Sequence, residues 1–457
     1  MKKAAETIPE RVDLLVAGGV LLTMSDAMET FADAAIGISG GEILFAGSMR
    51  DYPELPAAAE RIDASGKIIL PGFINTHCHA AMTCFRGLAD DLPLMEWLHN
   101  HIFPVEAKYV NRDMVYRGTL LAAAEMILSG TTTMADGYFH ESSACRAAIE
   151  AGIRTVPAQG FIDFTPPGDE AVRNHIAVAE KFLGKWRDRS PLVTPALFPH
   201  TAYTCHKRTL KAVKEVARAG GALCFVHLAE TAEENRVVRD ATGLSPVRYA
   251  ESLGILDPRT VAVHTVCLEP DEVRILADTG AAVSHSPESN MKLACGIAPI
   301  PELLAAGVRV GIGTDGAASN NDLDMVGEMN ACAKIFKAAR MDPTVMDAAS
   351  VLRMATIGGA RALGMGDRIG SIEPGKRADI VTIDCRKPKM TPLYNPYSQI
   401  VYSAGGADVS DSIIEGKVVM KNRRVLTLDL EKTMEDVEKI AAAVRKDLEE
   451  RCVCRHG

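Results

Sequence analysis

Between residues 69 and 364 the chain repeats one pattern: a short apolar run, a loop, then an amphipathic helix. Eight runs can be picked out, ending at His79, near Asp136 (GTTTMADGYF), near Gln159 (RTVPAQGF), near His200 (LVTPALFPH), at His227 (ALCFVH), at His264 (TVAVH), at His285 (AAVSH) and at Asp315 (VRVGIGTD). Runs of strand length alternating with helices predict a parallel α/β domain. Eight such units fit a (β/α)8 TIM-like barrel, in which reactive residues sit on the loops at the C-terminal ends of the strands. Among the intervening helices, Met114 to Leu128, Thr209 to Ala219, Ala232 to Arg239 and Asp271 to Asp278 are the clearest.

The flanking segments break that pattern. Asp13 to Met24 (DLLVAGGVLLTM) and Ala34 to Phe45 (AAIGISGGEILF) read as short strands joined by Gly pairs, a hairpin signature. After the repeats, Gly370 to Ile383 and Ala407 to Arg424 return to short strands, with Glu415-Gly416-Lys417 as a hairpin tip. A few strands cannot bury a core, so residues 1–68 and 369–430 are expected to combine into one small β-sandwich drawn from both ends of the chain, beside a barrel over 69–368. Glu431 to Arg451 reads as a charged helix, solvated or packed at an edge, within a tail over 431–457.

Composition narrows the partners. Hydrophobic residues at 47% and charged residues at 24% describe a globular chain, and 457 residues exceed one comfortable core. A net charge of −9 with no basic run, and aromatics at only 5%, argue against a nucleic-acid groove; small molecules and further copies of the chain, in a homo-oligomer, are the expected partners. No apolar stretch is long enough to cross a bilayer and none opens the chain as a signal peptide, so no membrane partner is expected and the location is read as cytoplasmic. Eleven scattered cysteines imply reduced, mostly buried thiols. Cys452, Cys454 and His456 could bind a metal, but on a terminal tail they receive no role.

The first repeat ends in PGFINTHCH, which puts His77 and His79 two positions apart. Side chains at i and i+2 of a strand share a face, so both imidazoles aim at one spot. By itself such a pair is as readily structural. His227 then closes the fifth strand in FVHLAE and Asp315 the eighth in GTDGAASN. Three neutral nitrogens and one carboxylate suit Zn2+ with a position left for water, and Fe2+ accepts the same donors. Since no lysine ends the fourth strand, Leu192 to His200, where a second ion would need a bridging group, one divalent metal is expected.

Two further groups fall beside these ligands. Glu230, three residues beyond His227, would exchange a proton with substrate; its plainer role is an acid in the first turn of the next helix. His264, in VAVHTV, would hydrogen-bond attacking water; its plainer role is a strand-end histidine bonded to backbone. Asp315 could likewise only cap the next helix.

Taken together, PGFINTHCH, HLAET, VHTV, SHSPESNMKLACGIAPI, GTDGAASNN and PGKRADIV resemble the amidohydrolase superfamily over nearly the whole chain, and its deaminase branch in particular. A closer similarity, to the 5-methylthioadenosine/S-adenosylhomocysteine deaminases, is carried by MEWL, FPVEAKY, PHTAYTC and GTDGAASNN. The resemblance implies an aminohydrolase that converts the adenine of 5′-thio-substituted adenosines, and of adenosine itself, to the inosine analogue and ammonia. In it Asp315 would accept a proton from water, Glu230 would protonate ring N1 and His264 would steady the developing charge. Glu106 in FPVEAKY would accept from the ribose hydroxyls, His200 would reach the ribose or its 5′ substituent, Trp97 in MEWL would lie beside the nucleoside, and Ser319 would meet the purine edge. Helix acid, strand-end cap, core packing and helix N-cap are their respective plainer roles. One departure stands out: arginines after the third strand are expected to grip a homocysteine carboxylate, yet here the sequence is PAQGFIDF, with Gln159, and Arg173 is the nearest candidate. Guanine or oxopurine deamination, or triazine dechlorination, is the alternative enzymatic reading, and Glu106 discriminates because a free base or a triazine has no ribose. A non-catalytic barrel would be expected to have lost ligands, and all four are present.

Overall fold

The computed structural model describes residues 9–163 and 169–454, which fall into two compact units. The first comprises the chain up to Ile74, Ile127–Thr133 and Asp324–Leu426. Its strands form two sheets. One runs Glu42–Ser48, Ala34–Ser39, Arg11–Ala17, Ala57–Asp63; the other runs Arg424–Val425, Lys417–Lys421, Val409–Ile414, Ile380–Asp384, Lys67–Pro71, Val20–Leu22, Thr30–Phe31. Leu14, Val16 and Ile36 of the first sheet bury against Leu21, Ile69, Ile380 and Ile413 of the second, making a sandwich from both flanks of the chain.

Two of the three expected hairpin turns are present. Gly40-Gly41 joins one antiparallel pair, and Glu415-Gly416, both at positive φ, joins another. Gly18-Gly19 instead joins strands of different sheets. A Cβ on Gly19 would lie 2.4 Å from Ala64 O and 2.6 Å from Lys67 O, so the pair carries the chain through a crossing too tight for any side chain.

The second unit comprises Asn75–Met126, Met134–Leu323 and the chain from Thr427. The parallel strands are β1 (Phe73–His79), β2 (Thr131–Tyr138), β3 (Arg154–Phe161), β4 (Ala196–Pro199), β5 (Cys224–Leu228), β6 (Thr260–His264), β7 (Ala282–His285) and β8 (Val310–Ile312). Each pairs with the next, and β8 returns to β1 through Ile312 opposite Asn75, closing the barrel. All eight expected strands are present, within a couple of residues of their predicted ends. The four helices singled out in the sequence appear as Arg112–Ser129, Lys207–Ala219, Ala232–Thr242 and Glu272–Thr279. Nearly every strand position is buried, which is why the strands read as apolar runs rather than as alternation.

The barrel strands end in backbone that re-aims their last side chains. Ala229 after β5, His264 at the end of β6 and Asp315 after β8 have φ of 53°, 73° and 61°. A non-glycine residue in this left-handed region costs roughly 1 kcal/mol, a cost the surrounding packing must offset. Asp315–Gly316 then pairs with Cys78 and His79 of β1. Gly313 makes that approach possible, because a Cβ there would sit 2.7 Å from both the N and the O of His77.

One wall of the second unit is helical: Leu94–Glu96, a π turn over Trp97–Ile102, and Phe103–Tyr109. The C-terminal helix, Leu430–Cys454, packs Val437, Ile440, Val444 and Leu448 into one cluster with Trp97, Leu98 and Val105. That spacing is a single apolar stripe on an otherwise charged helix, which therefore packs at an edge. Tyr109 Oη donates to Ala443 O at 3.0 Å, and Lys108 pairs with Asp447. Among the described residues the cysteines form no disulfide, and no helix is long and apolar enough to cross a membrane. His456 and the side chains of Cys452 and Cys454 lie outside the described residues.

Gly313→Ala is expected to force β8 away from β1 and lower stability by about 3 kcal/mol. A shift in the denaturant midpoint, together with reduced metal content, checks this; a variant as stable and metal-rich as the parent would show that the approach is not needed.

Candidate metal and active site

The four candidate ligands converge from three strands. One donor atom each from His77, His79, His227 and Asp315 lies within 4.8 Å of all the others. Nε2 of His77 and Nε2 of His227 face each other at 3.1 Å, and Asp315 Oδ1 lies 3.4 Å and 3.2 Å from Nε2 of His77 and His79. Burial pulls His77 down to about 4 and His227 well below the ordinary histidine range, so both rings are neutral. Burial pushes the Asp315 carboxyl up, but the imidazoles of His77 and His79 outweigh it and hold the group ionised well below the ordinary carboxylate range. With the rings neutral, three imidazole nitrogens and a carboxylate oxygen turn their lone pairs toward one another, an arrangement that a shared cation satisfies together. The donor set therefore fits one divalent metal.

Neighbouring groups fix two of the candidate ligands. His79 Nδ1 donates to Gly137 O at 2.5 Å, leaving Nε2 for the metal. Gly137 is without a side chain because a Cβ would lie 2.6 Å from the Phe198 ring. Asp315 Oδ2 accepts from Ser289 Oγ at 2.7 Å and Ser319 Oγ at 3.1 Å, so one carboxylate oxygen is anchored while the other faces the histidines.

Glu230 is only 6% exposed, and its backbone N–H donates to Glu234 Oε2 at 2.7 Å. Helix Ala232–Thr242 begins at Thr231, whose hydroxyl accepts from Glu234 N, so Glu230 precedes the helix rather than serving as its first-turn acid. Burial pushes its carboxyl above the ordinary range. His264 Nδ1 donates to Asn290 Oδ1 at 3.0 Å, and its Nε2 lies 3.8 Å from Glu230 Oε1. Its partner is thus a side chain, not the backbone carbonyl of the plainer reading.

These groups open into a cavity whose wall also includes Trp97, Glu106, His200 and Ser319. Glu106 Oε1 accepts from Tyr138 Oη at 2.5 Å, and burial pushes this carboxyl up to about 7. Trp97 Nε1 donates to Ala89 O at 3.0 Å, so the indole offers its ring to the cavity rather than its N–H. His200 Nδ1 is engaged with Thr204 Oγ1 at 2.9 Å, leaving Nε2 as its free ring nitrogen. The Ser319 hydroxyl is directed at Asp315 and at Gly316 O. Gln159 lies outside this wall, its Oε1 accepting from Glu141 N at 3.3 Å. Arg173 is exposed on helix Asp169–Trp186 and is also absent from the wall, which at the end of β3 consists of Gly160, Phe161 and Ile162.

Sequence reasoning missed Tyr138, Ser289 and Asn290. Tyr138 had a signal: it follows Asp136 by two on β2, the spacing that singled out His77 and His79. Ser289 and Asn290 had none, because nothing in helix Pro287–Lys292 marks which of its polar residues face β6 and β8.

The chain belongs to the amidohydrolase family, whose sequence pattern matches residues 68–419. It is 46% identical over 435 residues, covering 95% of this chain and 99% of the relative, to a 5-methylthioadenosine/S-adenosylhomocysteine deaminase of Syntrophobacter fumaroxidans. It is 43% identical over 422 residues, 89% of this chain and 97% of the relative, to a 5′-deoxyadenosine deaminase of Methanothermobacter thermautotrophicus. Among solved structures, an adenosine deaminase from Xanthomonas campestris with bound zinc superposes with a TM-score of 0.92 at 37% identity, covering 96% of this chain and all of that one.

His227→Ala and Asp315→Ala should each lower metal from about one ion per chain to near zero, while Ser289→Ala should weaken metal affinity by roughly tenfold. Elemental analysis after dialysis, with circular dichroism to confirm folding, reads both; full occupancy in His227→Ala would exclude that ligand.

Proposed function

We propose that this enzyme hydrolytically deaminates the adenine ring of 5′-thio-substituted adenosines, 5′-methylthioadenosine and S-adenosylhomocysteine among them, releasing the inosine analogue and ammonia. The observation that carries this reading is that one cavity holds the four-ligand cluster, a buried acid beside it (Glu230) and a second buried carboxyl (Glu106) suited to a vicinal diol. The names of relatives that match nearly end to end support it. His77, His79, His227 and Asp315 would hold the metal, which we take to be Zn2+, with Fe2+ as the alternative. The donor set and the zinc reported in the Xanthomonas campestris structure favour zinc. When bound, such an ion acidifies water toward neutrality and so supplies a nucleophile.

The chain's own residues do the rest. Glu230, its pKa raised by burial, stands beside the candidate ligands to give a proton to ring N1, which makes C6 electrophilic. Asp315 takes a proton from the attacking water and passes it to the departing amine, its orientation held by Ser289 and Ser319. His264, fixed by Asn290, hydrogen-bonds the attacking oxygen through Nε2. Ser319 thereby supports Asp315 and, from the cavity wall, would also meet the purine edge. Glu106 accepts from the ribose hydroxyls, held by Tyr138 on one oxygen and free on the other. Trp97 stacks beside the nucleoside, and His200 Nε2 reaches the ribose or its 5′ substituent. Gly160, Phe161 and Ile162 give the 5′-thioether an apolar wall.

Glu230→Gln should keep its metal and lose at least about a hundredfold in kcat; near-normal ammonia release would remove Glu230 from the mechanism. A screen of purine nucleosides and free bases should show ammonia only from adenosine-type nucleosides, and release from guanine or loss of a triazine chlorine would favour the alternative chemistry. Glu106 grips the diol as a carboxylate, and its pKa is raised, so grip is weak while it is protonated and gained as pH climbs through about 7. KM for the nucleoside should fall across that range, and Glu106→Gln should abolish the dependence; an unchanged profile in the variant would assign the titration elsewhere.

A further inference from the structure

A second cavity adjoins the first, sharing Phe103, Glu106 and Phe139 with it. Its lining draws cations from three helices: Arg112 from the start of Arg112–Ser129, Arg146 from Glu141–Ala151, and Lys181 and Lys185 from Asp169–Trp186. The two lysines are four residues apart and so stand on one helix face. Glu106 is the only acid in the lining. None of the four cations makes an ion pair among the described residues: Arg146 reaches only Ser143 Oγ, at 3.3 Å, and the Tyr116 ring, and Lys185 lies over Trp186. Elsewhere in this net-acidic chain basic side chains are commonly matched, as Lys108 is with Asp447, Arg117 with Asp436 and Lys292 with Asp90. Four unmatched cations, gathered with Glu106 as the single acid of the lining, make a positive field beside the first cavity.

The geometry points to an anion subsite here: we propose that Arg112, Arg146, Lys181 and Lys185 receive a phosphate or carboxylate carried on the ribose side of the nucleoside. The proposal rests on the nucleoside reading above, which brings the ribose to Glu106, the residue the two cavities share. Guanidinium forks and ammonium groups suit either anion. Four exposed side chains supply modest attraction each and a larger sum, weakened by salt. Neutral nucleosides would leave the groove to water.

The test compares kcat/KM for neutral 5′-methylthioadenosine with that for three nucleosides that carry an anionic group, adenosine 5′-monophosphate, adenosine 3′-monophosphate and the zwitterionic S-adenosylhomocysteine, using metal-loaded parent, Lys181→Ala/Lys185→Ala and Arg146→Ala proteins. The double variant should lose about tenfold on at least one anionic nucleoside and nothing on the neutral one, with the loss shrinking at high salt. Which anion responds identifies the source: the 5′-phosphate, the 3′-phosphate or the amino-acid tail. Equal effects on neutral and anionic substrates, or none on either, overturn the subsite. Turnover of 5′-methylthioadenosine with none of the three anionic nucleosides also overturns it while leaving the deaminase reading intact. Failure to deaminate 5′-methylthioadenosine as well removes the nucleoside reading and the subsite together.

Discussion

Closure of β8 onto β1 is the contact on which the candidate site depends. Beyond the closure at Ile312 and Asn75, the pairing of Asp315 with Cys78 sets a carboxylate against the histidines on either side of that cysteine. It requires a bare backbone at Gly313 and a left-handed residue at Asp315, two local costs that a parallel sheet would not ordinarily accept. They are offset by the hydrogen bonds from Ser289 and Ser319 and by the burial of the surrounding strands. Fold stability and ligand placement thus draw on the same few residues.

The cavity divides its work between two kinds of support. Groups proposed for the chemistry sit at strand ends or in the first residues after them, where neighbouring strands leave little freedom. Groups proposed to hold the nucleoside sit mostly on the helical segment Leu94–Tyr109, which is held by side-chain packing. Tyr138 links the two, since it belongs to β2 yet donates to Glu106 on the helix. Burial acts on both kinds of group in opposite senses. It keeps His77 and His227 neutral, as metal ligands would have to be, and it raises the Glu230 carboxyl above the ordinary range, as suits a proton donor.

Much of this was legible before any coordinates. An apolar run eight times over is the imprint of strands buried on both faces, and a polar residue closes each run. The spacing of His77 and His79 carried their shared direction. What was not legible depends on tertiary packing. Gly18-Gly19 and Gly40-Gly41 look alike in sequence, but only the second turns a hairpin, while the first carries the chain from one sheet to the other. Ser319 was read toward the base, and only the turn after β8 reveals its hydroxyl directed at Asp315. Asn290 and Ser289 follow no period that a strand or helix would impose.

The C-terminal helix has one more implication. Its apolar stripe backs the wall that carries Trp97 and Glu106, although those segments are separated by more than three hundred residues of chain. During synthesis every barrel strand is complete before that helix has been made. The strand-borne candidate ligands can therefore gather on a nascent chain that does not yet have the backing for the wall that carries Trp97 and Glu106.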